Sequence, residues 1–416
     1  MTETTQDVLV VGGGMAGLAA AFTLRENGAS VTLLEHAAEF GEVGAGLQLA
    51  PNATRLLKQW GLLDEVLAVG VTPDHVAFKD ARTGEPLLSQ NVQDGFAEKY
   101  GAPYVVVHRS DLHRVLLERC RAAGVTLVNS VTIESVVTSG DEAIATATDG
   151  TVYRAGAVLA ADGLKSRLRK QISDDEPISS AYVAYRGTVP TAGLPSDQLI
   201  NDVTVYFGPN CHMVQYPLRG GELLNTVAVF RSKSFESGIE QAPGLEELQE
   251  AYADCVPHVQ ESLKQLWHGI RWPMFDREPI EQWVDGRMLL IGDAAHPMLQ
   301  YLAQGACQAL EDAAALQELT KGTVFVDGRV DAGAWQQVFE EFTEIRQPRT
   351  ARVQTTARVW GESWHVDGLP RLLRNMLFKA SNSDVTPHTD WVYDHALENS
   401  LDAVINKREV TAPASV

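Results

Sequence analysis

The chain opens on a short apolar run, Asp7-Val8-Leu9-Val10-Val11, whose β-branched residues and lack of alternation predict a strand buried on both faces. Glycines follow, and from Met15 to Asn27 the pattern becomes that of an Ala- and Leu-rich helix, ended by Gly28. Ser30–Leu34 reads as a second buried strand, so the N-terminal segment predicts a βαβ unit.

Helical spacing returns at Arg109–Cys120, and Val125–Val128 reads as a strand. Alternating segments at Ile133–Val137, Ala143–Thr148 and Thr151–Arg154, with turns at Ser139-Gly140 and Asp149-Gly150, predict a small antiparallel meander. Val158–Ala161 predicts a separate buried strand running into the turn Asp162-Gly163. Between about Ser179 and Trp283 the character changes. Tyr182–Val189, Val203–Phe207, Met213–Pro217 and Leu223–Phe230 read as strands between Gly and Pro turns, and Leu245–Cys255 and Val259–Gln265 as amphipathic helices. The buried-strand pattern resumes at Arg287–Ile291. Helices are expected from Gly305 to Leu319, from Ala334 to about Arg358 and from Leu369 to Phe378. No internal repeat or low-complexity linker is visible.

These patterns predict a mixed α/β (α+β) fold, in which a Rossmann-like nucleotide domain is interrupted by an inserted antiparallel-sheet domain and followed by C-terminal helices. The expected divisions are 1–72, 105–178 and 286–345 for the first domain, 73–104 and 179–285 for the second, and 346–416 for the helical region.

Composition narrows the function classes. Hydrophobic residues at 45% and charged residues at 21% fit a globular chain with a sizeable core. The formal net charge of −20 argues against broad nucleic-acid binding and against an electrostatic grip on anionic lipid. A local basic spot for a small anion remains compatible with it. The four cysteines, Cys120, Cys211, Cys255 and Cys307, form no C-x-x-C, so neither a metal site nor a disulfide framework is expected. No positive region precedes the first apolar run, and no stretch of about 18 apolar residues occurs. A soluble cytoplasmic protein is the expectation.

The first chemical motif is Gly12-Gly13-Gly14-Met15-Ala16-Gly17, a G-x-G-x-x-G between strand and helix. Gly12 permits the tight turn, Gly14 lets a pyrophosphate approach the backbone, and Gly17 lets the helix pack closely on the strand. The helix N-terminus, with Met15 and Ala16, would face the phosphates with unpaired N–H groups. Glu35, at the end of the next strand, stands where an adenosine ribose would be bound. A glycine-rich turn with a surface glutamate is the plain alternative. Taken alone, this motif does not separate FAD from NAD.

Two further segments do. Asp162-Gly163-Leu164-Lys165-Ser166-Arg167-Leu168-Arg169 resembles the D-G-x-x-S-x-x-R segment of the single-component FAD-dependent aromatic hydroxylases, the p-hydroxybenzoate hydroxylase-like family. Ile291-Gly292-Asp293-Ala294-Ala295-His296-Pro297 resembles their second FAD fingerprint, and the three motifs come in the family's order. The resemblance implies FAD as cofactor, with Asp293 on a ribityl hydroxyl and Arg109 in the flavin-binding set. It implies that the Asp162 segment serves flavin and nicotinamide together, with Ser166 and Arg169 matching. The backbone N–H groups of Gly305 and Ala306 would meet the flavin pyrimidine ring, where a partial positive charge stabilises anionic reduced flavin. A capped helix for Asp293, a surface salt bridge for Arg109 and a common Asp-Gly turn at 162–163 are the structural alternatives. NADH or NADPH would dock transiently, since no second nucleotide-binding unit is visible.

On the substrate side, Cys211–Tyr216 read as a strand puts His212, Val214 and Tyr216 on one face. With Tyr104, Tyr182–Arg186 and Gln300-Tyr301-Leu302-Ala303-Gln304-Gly305, this resembles the 3-hydroxybenzoate 6-hydroxylase branch, whose glutamine replaces a proline of many relatives at position 300. The implied reaction is hydroxylation of a phenolic acid by O2 and NAD(P)H through a flavin C4a-hydroperoxide, 3-hydroxybenzoate giving 2,5-dihydroxybenzoate. Salicylate or a related hydroxybenzoate is the alternative substrate, and a flavin reductase or oxidase without oxygen insertion the alternative class. A near-neutral histidine suits deprotonation of a phenol, so His212 and Gln300 are assigned to the phenol oxygen. Tyr216, with Tyr104, would orient a ring carboxylate. A histidine bonded within the sheet, an interface tyrosine and a glutamine capping the next helix are the alternative roles of His212, Tyr216 and Gln300. The C-terminal helices with Trp360 and Trp364 suggest the surface of a homodimer.

Overall fold

The computed structural model describes residues 6–41, 44–239, 245–326, 329–381 and 386–411. Its first sheet has eight strands, six of them in the order Val284–Asp285, Met288–Leu290, Val152–Ala160, Gln6–Val11, Val31–Leu34, Thr126–Val128. From Met288–Leu290 onward these neighbours run parallel, with Val10 opposite both Leu159 and Leu33. Helices Met15–Glu26 and Gly305–Thr320 pack on each other against this sheet, which is why its central strands are apolar without alternation. The glycine turn leaves the carboxyl end of Gln6–Val11, where a crevice opens in such sheets.

One element differs from expectation. The third meander strand and the buried strand at Val158–Ala161 are a single nine-residue strand, Val152–Ala160. Its first half pairs antiparallel with Glu142–Ala147 and its second half parallel with Met288–Leu290. Gly156 in its middle is no interruption: a Cβ there would lie 3.0 Å from the Asp7 carbonyl oxygen, so glycine lets the first strand lie close.

The second sheet has seven strands in the order Trp272–Asp276, Ile178–Pro190, Leu223–Arg231, Cys211–Leu218, Val203–Gly208, His75–Asp80, Pro86–Asn91. All pairs are antiparallel except Val203–Gly208 with His75–Asp80. On one face Tyr185, Met213, Ala228 and Phe230 pack under Leu248 and Val259 of the helices Glu246–Ala251 and Pro257–Ser262. These helices are shorter than the sequence suggests, because Pro257 starts a new one. On the other face Phe207, Val214, Tyr216, Val227 and Val229 join the core of the first sheet's domain. This second face is the one turned toward the first domain.

A helix of 30 residues, Trp335–Trp364, crosses both sheets' territory, so the division at 345/346 cuts through a single element. Pro348 is tolerated on its exposed side, while Arg346 and Arg349 anchor the buried side. The next helix, Gly368–Ala380, is tied to the hairpin 75–91 by Asp80, which accepts hydrogen bonds from Arg371 at 2.6 and 2.8 Å and Asn375 at 2.7 Å. Desolvation raises the Asp80 carboxyl, but these bonds outweigh it and hold its pKa down to about 2. Among the described residues no helix is long and apolar enough to cross a membrane.

Candidate active site

The glycine motif is packed as its residue types require. Gly12 has a φ of +110°, and a Cβ on it would meet the Ala161 carbonyl oxygen at 2.2 Å. A Cβ on Gly17 would lie 1.9 Å from the Gly12 carbonyl oxygen, so the helix could not approach the turn with any larger residue. The helix starting at Met15 has Gly14 at its N-cap and no side chain capping it. Its first N–H groups are therefore left for an anion. Glu35 is buried, accepting from the Gly13 N–H at 2.7 Å and the Ala37 N–H at 2.8 Å. This fixes the carboxylate beside the glycine turn and leaves lone pairs for hydroxyl donors.

The other two motifs converge on this turn. Asp162 follows Ala161 directly and holds its own loop, accepting from Ser166 Oγ at 2.5 Å and the Arg167 N–H at 2.9 Å. Arg169 is fully buried and donates to the carbonyl oxygens of Ala294 at 2.9 Å and Ala295 at 2.7 Å, so the Asp162 segment clamps the Asp293 loop. Gly292 has a φ of +58°, and a Cβ there would lie 2.6 Å from the Cβ of Ala16. The first and last motifs thus touch. Asp293 is exposed at this junction. Beyond it, Ala303 at a φ of +53° turns the chain into the helix Gly305–Thr320, which has no side-chain cap and open space about Gly305. Two uncapped helix N-termini, a fixed carboxylate and an exposed aspartate between them fit an FAD.

Beneath lies a buried charge network that sequence reasoning missed. Asp312 accepts from the Gly292 N–H at 2.8 Å and is paired with His296 at 2.7 Å and Arg346 at 2.8 Å. Glu311 is paired with Arg346 at 2.5 Å and Arg349 at 3.1 Å. Burial raises the Glu311 carboxyl, but the two guanidiniums outweigh it and hold it far below the carboxylate range. His296 therefore supports the loop. The available signal was the acid pair set in an otherwise Ala- and Leu-rich helix.

The second sheet's inner face presents three rows. Register puts Ala184, Val229, His212 and Phe207 in one, Arg186, Val227 and Val214 in the next, and Thr188, Asn225 and Tyr216 in the third. His212 and Tyr216 do share this face. His212 Nδ1 lies 2.8 Å from Nε2 of His365, which follows the long helix. The His212 ring is enclosed by Tyr301, Trp364 and His365, at centroid distances of 5.5, 5.0 and 5.0 Å. Its Nε2 is buried with no partner among the described residues. Burial, with His365 adding, pushes the His212 pKa well below the ordinary histidine value, and burial beside Arg374 lowers His365 to about 3. Both rings are neutral at physiological pH.

Tyr216 packs against the strand Gly46–Leu49, where a Cβ on Gly46 would lie 2.3 Å from its ring. Asn225 beside it accepts from the Gly46 N–H at 3.0 Å, joining the two domains. Tyr104 is buried and donates to Gln48 Oε1 at 2.8 Å, so its hydroxyl proton is engaged within the protein. Gln300 opens a short 3-10 turn, half buried, with its side-chain amide unbonded among the described residues. It does not cap the following helix, whose N-cap is Gln304. Arg109, half buried, lies against Gly44 on the glycine-rich approach to the site. His365 was missed because it is far in sequence from every motif.

The FAD binding domain family matches residues 5–321. Similar curated proteins include the 3-hydroxybenzoate 6-hydroxylases of Klebsiella oxytoca, 36% identical across 95% of this chain and 98% of the relative, and of Polaromonas naphthalenivorans, 37% identical across 95% and 97%. A solved salicylate hydroxylase in substrate complex superimposes with a TM-score of 0.79 over 100% of both chains at 24% identity, which shows a shared fold. With the three motifs meeting at one crevice, these matches have one conclusion: the chain belongs to the FAD binding domain family and, within it, to the FAD-dependent aromatic hydroxylases.

Proposed function

We propose that this chain is an NAD(P)H- and O2-dependent hydroxylase of a phenolic acid, converting 3-hydroxybenzoate to 2,5-dihydroxybenzoate in the cytoplasm. Residues 1–72, 105–178 and 286–345 hold FAD, and 73–104 with 179–285 cover its ring; 346–416 form the helical region. Gly12, Gly14, Met15, Ala16 and Gly17 take the pyrophosphate, Glu35 the ribose, Asp293 a ribityl hydroxyl, and Gly305 and Ala306 the pyrimidine edge, with Arg109 and the Asp162 loop alongside. When bound, the flavin accepts a hydride from the nicotinamide and, with O2, supplies an electrophilic oxygen.

The observation that carries this reading is the buried, unpartnered Nε2 of a neutral histidine on an apolar wall. A buried polar atom left without a partner calls for a ligand atom. A phenol hydroxyl satisfies it. If His212 Nδ1 carries the ring proton and donates it toward His365, Nε2 is the acceptor that draws the phenol proton and enriches the ring ortho and para to oxygen. Gln300 supplies an amide to the same oxygen, and Tyr216 holds the ring against Gly46. Tyr301, Trp364 and Val214 keep water out.

The test is turnover of flavin-loaded protein with NADH on a panel including 3-hydroxybenzoate and salicylate, with products identified and 18O2 as oxygen source. Gentisate carrying one labelled oxygen is expected. Absence of label from any product would mean a reductase or oxidase. His212→Ala should still oxidise NADH when substrate is present but release hydrogen peroxide in place of product; full coupling in that variant would remove His212 from the reaction.

We assign the surface of the expected homodimer to the helix Gly368–Ala380. Leu369, Leu372, Leu373, Met376 and Leu377 are all at least half exposed, at i, i+3, i+4, i+7 and i+8. Trp364 is buried within its own chain and Trp360 half buried against Phe78, Phe207 and Phe378, so both present less apolar surface than this stripe.

A further inference from the structure

Arg186 stands in the middle row of the pocket wall, on the face that carries His212 and Tyr216. Its guanidinium lies over the Trp272 ring at 5.6 Å, and its Nε is buried without a hydrogen-bond partner. No carboxylate of the described residues pairs with it. A desolvated cation without a counter-charge is costly and is retained where an anion joins it. Asn225 is its diagonal neighbour across the strand pair, since Arg186 is opposite Val227 and Asn225 is two residues on. Asn225 is fully buried, and its Nδ2 is likewise without a partner. Two unpaired donors side by side match a ligand group that only accepts. The phenol of Tyr216 and the guanidinium of Arg109 both lie within electrostatic reach of Arg186, so the spot is positive inside a chain whose net charge is −20.

We propose that Arg186 and Asn225 form a fork for the carboxylate of the aromatic acid and set the enzyme's preference for acids over neutral phenols. The inference rests on the function proposed above. It reassigns the carboxylate's charge partner, which the sequence offered only to tyrosines: Tyr216 packs the ring, Tyr104 is engaged with Gln48, and the positive charge comes from the neighbouring strand. The Trp272 ring holds the guanidinium from one side by a cation–π contact. Gly187 serves the same end, because a Cβ there would meet the Gln265 carbonyl oxygen at 2.0 Å and push the strand off its support.

The experiment is calorimetric titration of flavin-loaded enzyme with 3-hydroxybenzoate and with 3-hydroxybenzyl alcohol, a neutral analogue. Arg186→Met should weaken the acid roughly 100-fold, the size expected for removing a buried charged partner, and leave the alcohol within about threefold. Asn225→Asp is the second variant. It gives Arg186 an internal counter-charge, keeps the acceptor for Gly46, and should abolish binding of the acid while the alcohol still binds. Equal losses for acid and alcohol would overturn the fork, as would unchanged acid binding in both variants. A defect confined to the KM for NADH or to FAD content would assign Arg186 to a nucleotide phosphate and overturn it too. If wild-type enzyme neither binds nor hydroxylates any phenolic acid, the proposed function itself fails. If it hydroxylates 3-hydroxybenzoate and the variants discriminate acid from alcohol as before, only the fork fails.

Discussion

At the scale of single residues, the two abutting histidines tie chemistry to stability. His365 titrates near pH 3 in the folded chain and near 6.5 when unfolded, so between these values the unfolded state binds the extra proton. Stability is thus fully present above about pH 6.5 and is lost as pH falls toward 3, by up to about 1.4 kcal/mol per pH unit for each such histidine. His212 and His395, the latter lowered by burial to about 4, act in the same direction. Thermal melts should show a midpoint that falls from pH 7.5 to 5, with a shallower fall in His365→Gln. An unchanged slope in that variant would mean that His365 is not held neutral. Part of this was legible: two-residue spacing alone put His212 and Tyr216 on one wall. His365 and the unpaired state of Arg186 were not, because each depends on which distant segment packs against the sheet.

Elements carry the next layer. Regular periodicity gave the βαβ unit, the helix from Gly305 and the strands of the inserted sheet closely. The misreading fell where a local signal was overruled by packing: Gly156 lies inside a strand because a neighbouring backbone needs the room. The helix expected across Pro348 does run through it, its buried side anchored by Arg346 and Arg349. Residues 46–108, made of short elements such as Gly46–Leu49 and Pro51–Gln59, gave no long pattern to read. The helix pair Gly305–Thr320 and Trp335–Trp364 is joined by Arg346 between Glu311 and Asp312. Arg346→Met leaves both acids buried and short of one partner, a change worth about 3–5 kcal/mol. Because Asp312 also holds the Gly292 N–H, FAD retention on dilution should fall together with thermal stability. A variant as stable as wild type, with flavin retained, would show that the network does not support the loop.

For the whole molecule, the interruption of one domain by another was visible in the order of the motifs, and the exposed apolar stripe proposed for a dimer lies on one of the C-terminal helices the sequence offered. Of the two tryptophans at the end of the long helix, Trp364 is core and Trp360 half buried, and the exposed stripe lies one helix later. Five apolar side chains on one face are a surface that a second copy can cover with its own equivalent. Light scattering should give twice the chain mass for wild type. Leu373→Glu combined with Met376→Glu should give a monomer that keeps its yellow colour. A wild-type monomer at tens of micromolar protein would dismiss the association. A variant that stays dimeric would move the contact elsewhere.

The helix Trp335–Trp364 has a consequence for anyone reshaping this scaffold. At about 45 Å it is a rigid rod, clamped by Arg346 under the nucleotide loop in its first half and leading at its far end to His365, which abuts His212 of the second sheet. It begins after residue 321, where the match to the family ends. Transplanting the inserted sheet of a relative to change substrate range therefore moves only half of the apparatus. Unless the donor's rod travels with it, the hybrid sets its residue at position 212 against a companion cut for another enzyme.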